Sequence, residues 1–173
     1  YIADIEESSD GILYCGIRGT YPEPQRHGGG IVVIDIDDPG NFTLIDTSIL
    51  EYFEDQYMIV KDIAKDPYGN LWIADTYATN KFEPIKVLNT DSTWGSFSVQ
   101  ESGNKLSLTP NTIDFDSWGR VWIGSFEDNN NVGGASNGGA VMLNYSGDPA
   151  SPSETEWTKV NVNADASTNT VSG

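Results

Sequence analysis

The sequence predicts an all-β protein made of four-stranded antiparallel units, and three observations support this fold class. One motif occurs three times. It has an Ile six positions before a Gly, an aliphatic residue two positions after that Gly and an aromatic residue three positions after it. The glycines of the motif, Gly11, Gly69 and Gly119, lie 58 and 50 residues apart, an interval typical of modular repeats. The 18 Gly and 8 Pro residues favour many turns, and no apolar spacing of 3.6 residues indicates a helix.

Each motif marks two strands and the turn between them. The Gly supplies the positive φ that a tight hairpin needs. We expect Asp66 and Asp116, at the start of two of these turns, to accept hydrogen bonds from the turn backbone, and Ser8 to do so more weakly in the first repeat. The aromatic residues after the turns are predicted to pack between neighbouring units: Tyr14, Trp72 and Trp122.

Two further strands complete each unit. An apolar third strand follows a polar loop at 30–35, 84–89 and 139–144, and a fourth strand with alternating pattern lies at 42–46, 94–99 and 157–162. Four antiparallel strands repeated at this interval predict a β-propeller with about three blades present. The predicted limits are about 1–56 for blade 1, about 57–107 for blade 2, about 108–163 for blade 3 and about 164–173 for the start of a fourth blade.

The charge of the chain limits its partners. There are 26 acidic and 9 basic residues, which gives a formal net charge of −17. Such a surface repels nucleic acid and anionic membranes, so neither is a predicted partner. No stretch reaches the ~18 consecutive apolar residues of a transmembrane helix, so no membrane insertion is predicted. Solubility explains the charge better than a specific cation-binding role does.

Two repeats carry a pattern that is specific enough to suggest a family. Residues 66–74 and 116–124 both follow Asp-x-x-Gly-x-aliphatic-Trp-Ile-small. This pattern resembles the β-propeller repeat of two-component regulators, to which streptogramin lyase-like and NHL-type propellers are related. The resemblance implies an extracellular, cell-surface or periplasmic location in a bacterial protein, such as the sensor region of a hybrid histidine kinase.

The enzymes related to this family supply one alternative, a lyase- or lactonase-like propeller with a metal in its channel. Such an enzyme needs His or carboxylate side chains that converge at the channel-facing starts of the first strands. Those positions hold Asp4, Asp62 and Thr112, which are two acids without a histidine. The single cysteine, Cys15, is interpreted as a small buried hydrophobe rather than as a nucleophile paired with His27.

The connections between second and third strands are long, at 17–29, 75–83 and 125–138, and they share one face of a propeller. Long loops on one face favour a binding surface. Their aromatic and planar polar side chains suit a glycan or a peptide, although solvated connections have a similar composition. The candidate ligand-binding residues are Arg18, Tyr21, His27, Asp75, Tyr77, Asn80, Phe126, Glu127 and Asp128.

No cofactor is predicted, and calcium is a weaker hypothesis. The spacing of the carboxylates of Asp35, Asp37 and Asp38 resembles part of a calcium-binding loop. The rest of the twelve-residue loop, including its terminal Glu, is missing from the sequence. A turn between the third and fourth strands explains these residues at least as well.

Three blades do not close a ring, because propellers typically have about 4–8 blades. The open sides are expected to be covered by the remaining blades of a longer chain or by a second copy of this one. The predicted function is therefore ligand recognition or protein assembly by a non-catalytic extracytoplasmic propeller segment. A structural spacer is the other alternative.

Overall fold

The computed structural model describes residues 1–8, 10–20, 27–53, 57–125 and 139–160, and these form three four-stranded antiparallel sheets. The predicted all-β fold with four-stranded blades of a partial β-propeller is confirmed. No helix long and apolar enough to cross a membrane occurs in these residues. The strands are β1 (Ile2–Glu7), β2 (Ile12–Thr20), β3 (His27–Asp35), β4 (Phe42–Ile45), β5 (Val60–Lys65), β6 (Leu71–Asp75), β7 (Ile85–Leu88), β8 (Trp94–Phe97), β9 (Pro110–Phe115), β10 (Val121–Ser125), β11 (Gly139–Asp148) and β12 (Ser151–Val160).

Each sheet pairs its strands in chain order, so sheet 1 is β1–β4, sheet 2 is β5–β8 and sheet 3 is β9–β12. The first strands of consecutive sheets are neighbours. The Asp4 carboxylate accepts the backbone N–H of Ile63 at 2.8 Å, and the Asp62 carboxylate accepts that of Ile113 at 2.5 Å. The two acids that the sequence assigns to the channel side therefore connect one sheet to the next.

The hairpin turn of sheet 2 is organised around the Asp66 side chain. Its Oδ1 accepts the N–H groups of Tyr68 and Asn70, each at 2.9 Å. Its Oδ2 accepts the side-chain amide of Asn70 at 2.8 Å and the indole Nε1–H of Trp72 at 3.2 Å. The predicted contact with the turn backbone is confirmed, and the same carboxylate also holds the aromatic residue that follows the turn.

The turn of sheet 3 repeats this arrangement. The Asp116 carboxylate accepts the N–H groups of Trp118 and Arg120 at 2.9 and 3.1 Å and the indole N–H of Trp122 at 2.9 Å. In sheet 1, the Ser8 hydroxyl donates to the Asp10 carboxylate within the same turn, at 3.0 Å.

The interior of the molecule lies between the sheets. Trp72 is fully buried between sheets 2 and 3, where its ring is stacked on Phe97 with centroids 5.4 Å apart and lies edge-on to Phe115 at 6.0 Å. Tyr14 packs against the apolar cluster between sheets 1 and 2. Trp122, the corresponding residue of sheet 3, is half-buried. These positions agree with the predicted packing between blades for Trp72 and Tyr14.

The connection between β2 and β3 differs from the prediction of a loop at 17–29. β2 continues to Thr20 and β3 begins at His27, with Arg18 opposite Gly29 in the ladder. A Cβ at Gly29 would lie 2.3 Å from the Met58 carbonyl oxygen. Gly29 therefore allows β3 to lie close to the segment before β5. Because the glycines at 28–30 have no side chains, they show no alternating pattern that would predict a strand.

The hairpin of β11 and β12 is also longer than predicted. β11 runs to Asp148, which pairs with Ser151 at the start of β12, so the hairpin extends beyond the predicted strands at 139–144 and 157–162. The expected start of a fourth blade at 164–173 lies outside the described residues.

Candidate functional site

The face predicted to bind a ligand carries the connections between second and third strands, and is called the loop face below. Arg18 and Tyr77, two of the predicted site residues, border the same cavity there, which has a volume of about 190 Å³. The predicted residues Tyr21, Phe126, Glu127 and Asp128 lie outside the described residues.

The Arg18 side chain is held by aromatic residues. Its Nε donates to the hydroxyl of buried Tyr57 at 2.6 Å, and its guanidinium lies 6.0 Å from the Tyr1 ring centroid. The hydrogen bonds to Tyr57 and Tyr1 raise the pKa of Arg18, so this group is a permanent cation beside the cavity.

Contacts with the segments before β5 and β9 fix the second of the long connections. Tyr77 has a φ of +63°, donates its N–H to the Leu108 carbonyl at 2.6 Å, and places its ring 5.7 Å from that of Phe53. Asn80 is exposed, and its Oδ1 accepts the Tyr52 N–H at 3.1 Å. His27 is exposed at the start of β3, in the ladder rather than in a loop.

Asp75 does not reach the loop surface, because its side chain is 0 % exposed. Its Oδ2 accepts the Glu51 N–H at 2.6 Å. The Glu51 carboxylate in turn accepts the Lys86 ammonium at 3.1 Å and the Lys81 N–H at 2.8 Å. Burial raises the pKa of Asp75 well above its ordinary value. Asp75 is therefore part of a buried polar network inside sheet 2, which holds the end of β6 to the segment before β5.

The larger concavity lies on the opposite face, which carries the hairpin turns. It is a groove of about 560 Å³ between sheets 2 and 3, formed by the β5–β6, β7–β8, β9–β10 and β11–β12 turns. We call it the turn-face groove. The residues that line it include Tyr68, Asn70, Asn89, Trp118, Asn144 and Asp148.

Two aromatic side chains at equivalent turn positions border the turn-face groove. Tyr68 is 71 % exposed and Trp118 is 78 % exposed, and each directly precedes the Gly of its turn. The two turns are adjacent, because a Cβ at Gly119 would lie 3.9 Å from the Tyr68 hydroxyl. Rings of this size are usually buried, so two neighbouring exposed ones indicate a surface available for contact.

Arg120 supports the Trp118 ring. Its guanidinium lies over that ring at 4.8 Å from the centroid, and its Nε donates to the Asp116 carboxylate at 2.6 Å. Desolvation acts against ionisation of Asp116, but hydrogen bonds from Trp122 and Arg120 outweigh it and lower the pKa to about 2. The Asp116 carboxylate therefore stays ionised at neutral pH, and its ion pair with Arg120 holds the guanidinium against the Trp118 ring.

Amide side chains form the base of the turn-face groove. Asn89 is 7 % exposed, and its Nδ2 donates to the Asp148 carboxylate of sheet 3 and to the Thr93 hydroxyl. Its Oδ1 has no hydrogen-bond partner among the described residues. Asn70, beside it, accepts the Thr90 N–H at 3.2 Å. The Asn70 amide is therefore occupied by Asp66 and Thr90, and the unused hydrogen-bonding capacity of these two amides is the acceptor Oδ1 of Asn89.

Close packing of sheets 2 and 3 creates this groove. A Cβ at Gly95 in β8 would lie 2.3 Å from the backbone of Ala150, in the β11–β12 turn. Gly95 therefore allows that turn to approach β8, which brings Asp148 to Asn89. Sequence reasoning missed this site because loop length favoured the other face. The available signal was a large aromatic residue directly before the turn Gly in two repeats.

The carboxylates proposed for calcium take part in a turn. The Asp35 side chain accepts the Asp37 N–H at 2.9 Å, and the Asp35 carbonyl accepts the Asp38 N–H at 3.1 Å. Within the described ranges, no group of three or more His, Cys, Asp or Glu side chains is arranged to hold a metal ion.

The fold and the groove define this chain as a β-propeller segment with an aromatic-bordered polar groove on its turn face. Several solved structures are similar to it, and three of them belong to bacterial surface or extracellular proteins. The first is PorZ, an essential bacterial surface component of the type-IX secretion system of Porphyromonas gingivalis, with 24 % identity and a TM-score of 0.66 over 92 % of this chain and 20 % of that chain.

The other two are extracellular domains from B. thetaiotaomicron. One, assigned to the hybrid two-component system BT3049, has 19 % identity and a TM-score of 0.52, and the match covers 91 % of this chain and 17 % of that chain. The other, assigned to the one-component system BT4673, has 17 % identity and a TM-score of 0.50 over 83 % of this chain and 17 % of that chain.

These likenesses show the propeller fold. The chain spans about a fifth or less of the length of these solved proteins. No family model matches the sequence, and no curated protein matches it.

Proposed function

We propose that this chain is a non-catalytic segment of a bacterial extracytoplasmic β-propeller, and that it recognises a ligand. The Asp-x-x-Gly-x-aliphatic-Trp pattern supports assignment to the repeat family of two-component-regulator propellers. The similar structures support the location, since one is a surface component of a secretion system and two are extracellular domains. A secreted, surface-attached or periplasmic sensor protein fits all of these observations.

The observation that carries the proposal is the turn-face groove, with Tyr68 and Trp118 exposed at its edge. Neither ring contributes much to the interior, so packing does not account for them. Concave sites with a few polar groups and accessible aromatic rings are typical of small-ligand recognition. A structural spacer needs no such surface.

The channel side of the sheets supports a non-catalytic role. The carboxylates of Asp4 and Asp62 each accept a backbone N–H of the next sheet. They therefore have a structural task in connecting blades, which explains their presence without a reaction.

Assembly is the second part of the proposal, and the observation in its favour is the apolar surface of sheet 1. Ile2, Ile5, Phe42 and Leu44 each expose more than half of their area. We propose that the remaining blades of a longer chain, or a second copy, cover this surface.

The recognition proposal is tested by screening the purified chain, after its folding has been verified by circular dichroism, against arrays of glycans and peptides. Saturable binding to one class supports it. Absence of binding to both classes, with the fold intact, contradicts it. Turnover of a lyase or lactonase substrate would contradict the non-catalytic part, and recovery of the native protein from the cytoplasmic fraction of its own cells would contradict the location.

A further inference from the structure

We infer that the turn-face groove binds a neutral, linear glycan whose sugar rings stack on Tyr68 and Trp118. This inference rests on the proposed recognition function and names the ligand class and the residues that bind it.

The two aromatic rings provide the first argument. They are at the same position of successive hairpins, they are both more than two-thirds exposed, and their turns are adjacent. A sugar ring presents an apolar face of C–H groups, and aromatic rings offer flat apolar surfaces that complement it. Two rings on neighbouring turns match a ligand made of repeated ring units.

The base of the groove provides the second argument. Asn70, Asn89 and Asn144 line the groove. Asp66 and Thr90 already occupy the Asn70 amide. The amides of Asn89 and exposed Asn144 therefore face the sugar hydroxyls, which, like amides, both donate and accept hydrogen bonds. The Oδ1 of Asn89 is an acceptor whose hydrogen-bonding capacity no described residue satisfies. An unpaired buried acceptor is unfavourable, so a hydrogen bond from a ligand hydroxyl to this oxygen would be favourable.

Charge distinguishes neutral from anionic glycans. Asp91 and Asp148 line the groove, and its lining as described contains neither Lys nor Arg. Arg120 lies nearby, but its guanidinium already contacts Asp116 and the Trp118 ring. With a net charge of −17 on the chain, sulfated or uronic-acid chains are repelled.

A second concavity on the same face indicates that the ligand is elongated. It has a volume of about 200 Å³, lies between sheets 1 and 2, and is bordered by Asp10 and Tyr14. Asn89 and Thr90 line both cavities, so the two adjoin across the turns of sheet 2. A linear chain that begins at Trp118 can therefore continue past Tyr68 toward sheet 1.

The turns are less suited to a peptide. Extended peptides bind mainly by pairing with free backbone groups at a sheet edge. Two backbone N–H groups of this groove are already used, since that of Gly119 donates to the Asp116 carbonyl and that of Thr90 donates to the Asn70 side chain. The groove offers side-chain amides instead.

The test is affinity electrophoresis of the whole chain in gels that contain neutral β-glucan, xyloglucan, galactomannan or starch, followed by calorimetry with oligosaccharides of the polymer that retards it. The variants are Tyr68→Ala, Trp118→Ala and the conservative Trp118→Phe. The matched control is Phe82→Ala, which removes an exposed ring on the loop face, outside the groove. Asn80→Ala tests the competing site predicted on the loop face. Circular dichroism verifies that each variant is folded.

We expect a neutral polymer to retard the wild type, and Tyr68→Ala and Trp118→Ala each to weaken binding about tenfold. Trp118→Phe should stay within about threefold of wild type, because it retains a ring. Phe82→Ala should bind like the wild type, and Asn80→Ala should too if the loop face is not the glycan site. These effects correspond to the loss of one stacking contact.

Other outcomes overturn the inference in distinguishable ways. If Asn80→Ala weakens glycan binding and Trp118→Ala does not, the groove is wrong but the recognition function stands. Preference for alginate or heparin over neutral polymers contradicts the neutral class. Binding of peptides alone, lost in Trp118→Ala, contradicts the glycan class. If neither glycans nor peptides bind the folded chain, the inference and the proposed function both fail.

Discussion

Replacement of Trp72 by Ala is predicted to destabilise the whole array of sheets. The side chain is 0 % exposed and contacts Phe97, Phe115 and Tyr145, with the Phe115 and Tyr145 contacts joining sheet 2 to sheet 3. Large-to-small changes of buried aromatic residues cost about 3–5 kcal/mol. The loss of the indole hydrogen bond to Asp66 adds to this, although Asp66 keeps its other donors. We expect a loss of about 4 kcal/mol in the free energy of unfolding.

Thermal and urea unfolding, followed by near-ultraviolet circular dichroism, measure this change. For a chain of this size, about 4 kcal/mol lowers Tm by roughly 10–15 °C. Trp118→Ala is the matched control, because it removes the same side chain from an exposed turn and should cost less than about 1 kcal/mol. Equal effects of the two variants, or a Trp72→Ala loss below about 1.5 kcal/mol, would refute the packing of Trp72 between sheets.

Three further predictions test other parts of the structure. Burial, together with nearby Asp4, raises the pKa of Asp62 to about 6; its contribution to stability is therefore greatest below pH ~4 and is lost as pH rises through ~6. Asp62→Asn should reduce the change in the free energy of unfolding over this pH range by about 1 kcal/mol, after a discount for the partial exposure of Asp62. Identical curves of stability against pH for variant and wild type would contradict this. Gly95→Ala should cost about 1–3 kcal/mol by clashing with Ala150, whereas Gly40→Ala, whose Cβ meets no atom within 4 Å, should be neutral. Light scattering at micromolar concentration should show self-association through sheet 1, and a monodisperse monomer would contradict it.

The sequence predicted those parts of the fold that depend on short-range pattern. The turn Asp, the turn Gly and the aromatic residue three positions later lie within one hairpin, so their spacing determines their contacts. The glycines of β3 were misassigned to a loop, because residues without side chains show no alternation, and only the packing against Met58 reveals why they are glycine.

The candidate site was harder to predict than the blades. Tyr68, Asn89 and Asp148 are far apart in sequence and come together only when sheets 2 and 3 pack. The length of the loops led to the prediction of a site on the loop face. Loop length carries no information about such contacts between sheets. An exposed aromatic residue inside a turn motif looks like turn composition until the neighbouring turn is placed beside it.

The most direct test of the account observes the tryptophan side chains while a ligand binds. The chain has five Trp residues, and their indole N–H signals can be followed by ¹⁵N-resolved NMR during titration with a neutral oligosaccharide. The account predicts that the Trp118 signal shifts in a saturable way, while the signals of Trp72 and Trp122, which donate to Asp66 and Asp116, stay in place. Saturable binding that leaves the Trp118 signal unchanged would contradict recognition at the turn-face groove.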